Sequence, residues 1–366
     1  MNFKNFFGYS LSIVLTGVAI EVICLLAVKS EFIGSTVPSY SLQYSPVWLA
    51  DINPHFGVWH PSSINYRNSK SCFEVIGQTN SYGAVDPERK KKSEQSRTVV
   101  LGDSFVEGYG VEIGKRFTDI LENETGRPFL NFGTSGNFGP TQYHLLYKHL
   151  ASGFDHDEVL VVILPDNDFL DEYPREGRYQ PYLKGNYPDY TVDYTLDNME
   201  ESYAFYSNPS KRSLLAVFRE YSFALNVAYW AISKGNTQKE PAGKELSSYS
   251  GYYDYEKGEL LKLRYNLEKI KEIAGEREMK VVTIPRLIDF YRFKKEGHNR
   301  LAEDLRRIGE VVQFEYYDLL PELMTGYSGR WEALFHTCDG HWAEEGHRAA
   351  ANYIKRKVRM SSSTIK

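Results

Sequence analysis

The 366-residue chain is poor in cysteine, with three, and in methionine and tryptophan, with five each. Cys24, Cys72 and Cys338 are scattered, with no C-x-x-C pair and no histidine at zinc-ligand spacing, so neither a disulfide framework nor a zinc module is expected. A basic surplus is missing as well. The 43 Lys and Arg residues face 48 Asp and Glu for a formal net charge of −5, which argues against nucleic acid as a partner. There is no internal repeat and no low-complexity tract. Only one long apolar run is present, and a mean hydropathy of −0.45 does not suit a polytopic membrane protein.

That single run extends from Leu11 to Val28, is broken only by Glu21 and is closed by Lys29. At about 1.5 Å per residue it nearly spans a bilayer core of about 30 Å. Residues 1–30 are therefore expected to form a single-pass anchor. The competing readings are a signal peptide cleaved after Ser30 and a buried soluble helix. A carboxylate inside an apolar run is costly unless paired, so Glu21 points either to a membrane-protein partner or to a carboxyl that stays neutral. If the rest of the chain is extracytoplasmic, Cys72 and Cys338 are candidates for a disulfide; otherwise they read as two separate buried thiols.

Residues 31–97 are rich in Pro, Ser, Asn and aromatics and read as short strands and turns, ending in the charged stretch ERKKKSEQSR, a surface linker. From Thr98 short β-rich runs (TVVL, FLNF, EVLVVIL, KVVTI and VVQFEY, the last at 311–316) alternate with helix-like segments. In Leu260 to Ile273 apolar residues recur at 260, 263, 267, 270 and 273, the spacing of an amphipathic helix. This alternation predicts an α/β fold over 98–366, a flavodoxin-like three-layer sandwich with a five-stranded parallel sheet. Its catalytic loops should lie beyond the carboxyl ends of the strands. A long insertion, about 172–258, interrupts it between the third and fourth strands. The segment SLLAVFREYSFALNVAYWAI within it is apolar enough for a buried or membrane-facing helix, but Arg219 and Glu220 cut it. We read the insertion as a cap beside the site, the alternative being an insertion that packs only on itself.

The chain's one compositional excess falls in the same place. Aromatics make up 14%, with 28 Tyr and 20 Phe, and fourteen of the tyrosines lie between Tyr173 and Tyr255. Tyrosine offers a flat apolar face and a hydroxyl, which suits a sugar-lined groove or an amphipathic membrane-proximal surface.

Four polar clusters follow the strands or precede the last helix: Gly102-Asp103-Ser104-Phe105, Gly133-Thr134-Ser135-Gly136, Pro165-Asp166-Asn167-Asp168 and Cys338-Asp339-Gly340-His341-Trp342. Singly each is weak. Together and in this order, over about 97–358, they resemble the SGNH, or GDSL, family of serine hydrolases. The resemblance implies Ser104 as nucleophile, His341 as base and Asp339 as the acid that orients it. It further implies an oxyanion hole from Ser104, Gly136 and Asn167. Two departures stand out. Pro165 takes the place of the third block's usual glycine, and Asp339 precedes His341 by two residues rather than three. The phrase NSYGAVDPE and the D-x-H-W ending are similar to the branch found in bacterial envelope-polysaccharide clusters, which implies acetyl chemistry on a glycan at the bacterial inner membrane, or in secreted form after cleavage.

The residues make chemical sense on their own. A serine hydroxyl needs a base within hydrogen-bond reach, and the base needs its tautomer fixed. The oxyanion needs preset donors, and a glycine backbone can approach it closely. No step calls for a metal or another cofactor. Ser104 could otherwise cap a helix, and Asn167 could satisfy loop backbone groups. Asp103 and Asp168 read as loop supports and His347 as a packing or capping residue, while His336 has no acid partner. Trp342 would pack a loop or stack on a pyranose. The expected function is a membrane-anchored serine esterase removing O-acyl groups, acetyl above all, from a glycan or polysaccharide. The alternatives are an O-acetyltransferase with the same triad and a non-catalytic glycan-binding or envelope-assembly protein on a hydrolase fold.

Overall fold

The computed structural model describes residues 3–44, 51–175, 177–205, 214–235 and 249–357. Parts of the expected insertion, Tyr206 among them, and the end of the family resemblance at position 358 lie outside the described residues.

Helix α1 (Phe3–Lys29) opens the chain. Two antiparallel hairpins follow, β1–β2 (Asp51–Asn53, Gly57–Trp59) and β3–β4 (Asn65–Lys70, Phe73–Gln78). Next come β5 (Thr98–Leu101), α2 (Ser104–Glu107), α3 (Phe117–Thr125), β6 (Phe129–Asn131), α4 (Pro140–His149), β7 (Glu158–Ile163) and α5 (Pro165–Asp171). A third hairpin, β8–β9 (Pro181–Lys184, Thr191–Tyr194), precedes α6 (Met199–Phe205), α7 (Leu214–Arg219) and α8 (Phe223–Gly235). The chain then runs through α9 (Lys257–Ala274), β10 (Glu278–Thr283), α10 (Leu287–Glu296), α11 (Arg300–Val312), β11 (Glu315–Asp318), α12 (Leu320–Gly326) and α13 (Glu344–Lys357).

The sheet is five-stranded and parallel, in the order β6-β5-β7-β10-β11. Its inner strands are apolar without alternation, because helices cover both faces: Val99, Val100, Leu101 and Val159 to Ile163 are all buried. Helix α13 packs on α3, and α9 packs on α4 and α11, which completes the three layers. Strand order reverses between β5 and β7, so the loops leaving their carboxyl ends diverge and open a crevice. The expected G-D-S and P-D-N-D clusters sit at those two ends.

One strand is displaced from its expected place. The run VVQFEY reads as a strand by sequence, yet α11 continues through Val312 and β11 begins at Glu315. Leu301, Leu305, Ile308 and Val312 are buried at helical spacing while Val311 is 65% exposed. The three-and-four period outweighs the β preference of the paired valines. Gln313, at φ +67°, ends the helix in the left-handed region.

The insertion divides into two parts. Hairpin β8–β9 and its flanks lie against the β1–β2 hairpin and α9. Tyr179 and Tyr194 stack with ring centres 5.0 Å apart, and their hydroxyls donate to the Pro54 and His55 carbonyls. Tyr173 and Tyr187 donate to Glu259 and Glu268 of α9, and Tyr249, Tyr252 and Tyr255 are buried. These tyrosines fasten the insertion to the sheet layers. Among the described residues, α8 of the helical part packs on α1, and the α7–α8 turn packs on the Ser39-Tyr40 strip, where the Tyr40 N–H donates to the Glu220 carbonyl at 2.8 Å. Glu21 also finds its partner inside the chain. It accepts from the Ser222 hydroxyl and the Phe223 and Ala224 N–H groups at the start of α8, at 2.9, 2.5 and 3.1 Å.

Candidate active site

Strand β5 delivers its loop straight into α2. Asp103 is the N-cap, its Oδ1 accepting from the Phe105 N–H at 2.9 Å. Ser104 is therefore the first residue of the helix rather than its cap, and its hydroxyl is free for other work. Its Oγ lies 2.8 Å from Nε2 of His341. Ser104 is only 8% exposed.

His341 arrives from the loop before α13. That loop is closed by a bridge between Phe335 and Trp342 and by the His336 N–H donating to the His341 carbonyl at 2.8 Å. The imidazole lies between the rings of Phe105 and Tyr109, at centre separations of 5.0 and 4.6 Å. Its Nδ1 contacts Oδ1 of Asp339, and Oδ2 of the same carboxylate holds the Lys70 ammonium. Burial by itself would raise the Asp339 pKa, but the hydrogen bond and charge of His341 and the charge of Lys70 outweigh it and hold the carboxyl far below its usual range. An ionised carboxylate only accepts, so Nδ1 carries the proton and Nε2 presents its lone pair to Ser104.

A disulfide between Cys72 and Cys338 staples the β3–β4 hairpin to this loop across a separation of 266 residues. Of the two readings open in the sequence, the structure selects the disulfide. It sets Lys70, two residues before Cys72, beside Asp339, one residue after Cys338.

The loop after β6 is tied to the β5–α2 segment. The Thr134 N–H donates to the Gly102 carbonyl at 3.1 Å, and the Ser135 N–H donates to Glu107 Oε2 at 2.5 Å. Glu107 also stands 3.1 Å from His60 Nε2, in the segment after β2. Gly136 has φ +102°, and a Cβ there would sit 3.3 Å from Val58. Only glycine takes that backbone without strain. Asn137 follows at φ +63° and accepts from Arg175 at 2.6 Å, while Arg175 also reaches Asp171 at 2.7 Å.

After β7, Pro165 occupies the first turn of α5, where a missing N–H costs nothing. The substitution for glycine thus leaves the helix start intact and places Asn167 on its first turn. The Asn167 amide donates to Asp103 Oδ2 at 3.2 Å. Burial pushes Asp103 up to about 6. Asp168 accepts from the Tyr143 hydroxyl at 2.6 Å and the Leu164 N–H at 2.9 Å, and burial pushes its pKa well up. Among the described residues, neither the Ser104 nor the Gly136 N–H donates to a protein acceptor.

The other candidates fall into supporting places. His347 is buried, accepts from the Phe117 N–H and is driven down to about 3 by burial. Burial also lowers His336. Trp342 is 1% exposed and meets Phe105 edge-on, so it packs beneath the site and has no face for a sugar. Lys70, Tyr109 and Glu107 were not read from the sequence. Only Lys70 had a signal there, its closeness to Cys72, and that signal needed the disulfide to become legible.

Neither a family model nor a curated protein matches the sequence. Solved structures to which the chain is similar include a member of the lipolytic protein G-D-S-L family from Veillonella parvula, at 12% identity and a TM-score of 0.38, over 72% of this chain and 100% of that one. The lipase/acylhydrolase from Enterococcus faecalis is 14% identical with a TM-score of 0.35, over 72% and 95% of the two chains. LAE5, an alpha/beta hydrolase enzyme from the metagenome of Lake Arreo, is 12% identical with a TM-score of 0.38, over 74% and 99%. At these values the roles of the residues rest on the geometry of the site itself.

Proposed function

We propose that the chain is a membrane-anchored serine esterase that removes O-acyl groups, acetyl above all, from a glycan or polysaccharide. The observation that carries the reading is the chain of contacts from Ser104 Oγ through His341 to Asp339. Ser104 passes its proton to His341 Nε2 as its oxygen bonds to the acyl carbon. Asp339 keeps the proton on Nδ1 and stabilises the imidazolium. The carbonyl oxygen, now negative, is met by the Ser104 and Gly136 N–H groups and the Asn167 amide. Collapse breaks the ester bond, the sugar oxygen takes the proton from His341, and the acyl group remains on Ser104. A water activated by His341 then releases the carboxylic acid and restores the serine. Asp103 and Asp168 hold the loops from below, the former by fixing the Asn167 amide.

The glycan rests on the D-x-H-W ending and the NSYGAVDPE phrase. The anchor rests on the span Phe7–Lys29, long and apolar enough to cross a membrane and 6% buried. A fluorophosphonate probe tests the chemistry: it should label the wild type and not Ser104→Ala, and an unlabelled wild type would sink the enzyme reading. Acetate release from a panel of acetylated glycans tests the substrate. Transfer to an added glycan acceptor that outpaces acetate release would replace the esterase with a transferase.

A further inference from the structure

The polar groups of the α7–α8 segment are arranged the reverse of what water favours. Leu214, Phe218 and Ile232 are 77%, 58% and 63% exposed. The polar side chains of Arg219, Ser222 and Asn226, by contrast, are covered or partly covered and are paired. Arg219 lies over the Tyr229 ring at 3.6 Å and donates to Asn226, which in turn donates to the Arg219 and Ser222 carbonyls. Asn226 is 2% exposed. Glu21, the one carboxylate within the apolar part of α1, is consumed as the acceptor for the first N–H groups of α8.

Two seams at three-and-four spacing face each other. On the second half of α1 the covered positions are 21, 24, 25 and 28 together with 27, and on α8 they are 223, 226, 227 and 230 together with 224. Val28 and Phe223 form the centre of a small core with Cys24, Leu25 and Val227 beside it. The outer surface of α8 is thus continuous with the bare apolar surface of α1, whose residues 11–20 are all exposed. A mostly apolar outside with Glu21, Arg219, Ser222 and Asn226 paired within suits hydrocarbon better than water. The apolar part of α8, Phe223–Ser233, is about 16 Å long at 1.5 Å per residue, half of a core of about 30 Å. It can enter one leaflet but cannot cross.

We propose that α7–α8 is a second membrane-embedded element: it lies in one leaflet of the bilayer, docked on α1 through Glu21, and its partner is lipid. The 14% of aromatic residues gains a local meaning here, since Tyr221 and Tyr229 are half exposed on this element and tyrosine favours the membrane interface. Two contact points, rather than one tether, then hold the crevice at a set attitude to the bilayer. The proposal rests on α1 being the anchor and is independent of the chemistry at Ser104.

The test uses the full chain with Cys24→Ala, in vesicles of phosphatidylcholine and phosphatidylglycerol. A nitrobenzoxadiazole label is placed singly at Ile232→Cys, at Ile13→Cys on α1, and at Glu303→Cys on the exposed side of α11. Spin-labelled lipids then quench whatever lies in hydrocarbon. The labels at 13 and 232 should both lose most of their emission to the quencher while that at 303 keeps its own. Adding Glu21→Ala should weaken quenching at 232 and leave 13 unchanged. Quenching at 13 with a water-like label at 232 would overturn the proposal and leave the anchor standing, a result that would favour a protein partner for this face. No quenching at either site would remove both.

Discussion

Asp339→Asn changes the triad by a single proton acceptor, and Lys70 decides how severe the change is. In the wild type one carboxylate oxygen faces Nδ1 of His341 and the other faces the Lys70 ammonium. An asparagine has one oxygen and one NH2 to distribute between them. Lysine only donates, so the amide oxygen must turn to Lys70 and the NH2 to Nδ1. The opposite orientation would keep a long bond from the His341 N–H, 3.4 Å in the wild type, and would set NH2 against ammonium. A charge-assisted hydrogen bond contributes about 1.5–3 kcal/mol and a neutral one about 1 or less, so the Lys70 orientation wins. Nδ1 then becomes an acceptor, Nε2 carries the proton, and Ser104 loses its base. The expected loss is about four orders of magnitude in kcat, near 5.5 kcal/mol at 1.36 per tenfold, as for a triad forced into the wrong tautomer. Adding Lys70→Met releases the constraint. The amide can turn its oxygen to Nδ1, and about 10- to 100-fold of the rate should return, the equivalent of the bond that had held it away. The assay is turnover of a small acetyl ester by purified variants, with unfolding temperatures to verify the fold. A rate for Asp339→Asn within tenfold of wild type would mean another carboxylate orients the base. A double variant no faster than the single one would refute the role given to Lys70.

Asp103→Asn should separate stability from rate. A buried carboxyl at about 6, above its unfolded value, holds its proton more tightly in the folded protein, so its contribution to stability falls as pH rises from about 4 to about 6 and stays lost above. The asparagine still caps α2, so the variant should be as stable as wild type or more stable at pH 8, by about 3 kcal/mol at most. It should also turn the Asn167 amide around and cost about 100- to 1,000-fold in kcat, as for a lost oxyanion donor; wild-type kcat would refute the pairing. Gly136→Ala places a Cβ 3.3 Å from Val58 at φ +102°, and should lower kcat far more than it lowers the unfolding temperature, with the reverse pattern counting against its place in the oxyanion hole. Replacing Cys72 and Cys338 together by alanine opens a loop of 266 residues, worth about 5–6 kcal/mol by chain entropy. Calorimetry should register the loss and activity should fall with it, because Lys70 and Asp339 are no longer held together; unchanged activity would make the staple purely structural.

The parallel sheet was legible because its strands are unbroken apolar runs and its helices carry a three-and-four period. VVQFEY failed where two periods overlapped, since the helical stripe ending at Val312 left the paired valines no part in the sheet. The helical half of the insertion was legible as apolar, but not as to what it covers. A stripe states that a face must be buried, and any apolar surface will satisfy it.

The clusters around Ser104, Gly136, Asn167 and His341 could be named from sequence because each follows a strand or precedes a helix, and chain order carries them to one edge. Sequence alone determined the reactive types, the order of the blocks and the single apolar span, for these are local properties of composition and period. Tertiary structure decided the rest. It brought Lys70 to Asp339 through a pairing of cysteines 266 residues apart, buried Trp342 beneath the site, and gave Glu21 its partner 201 residues away in Ser222. Such pairings have no signature in either partner's neighbourhood, because each exists only once the chain between them has folded.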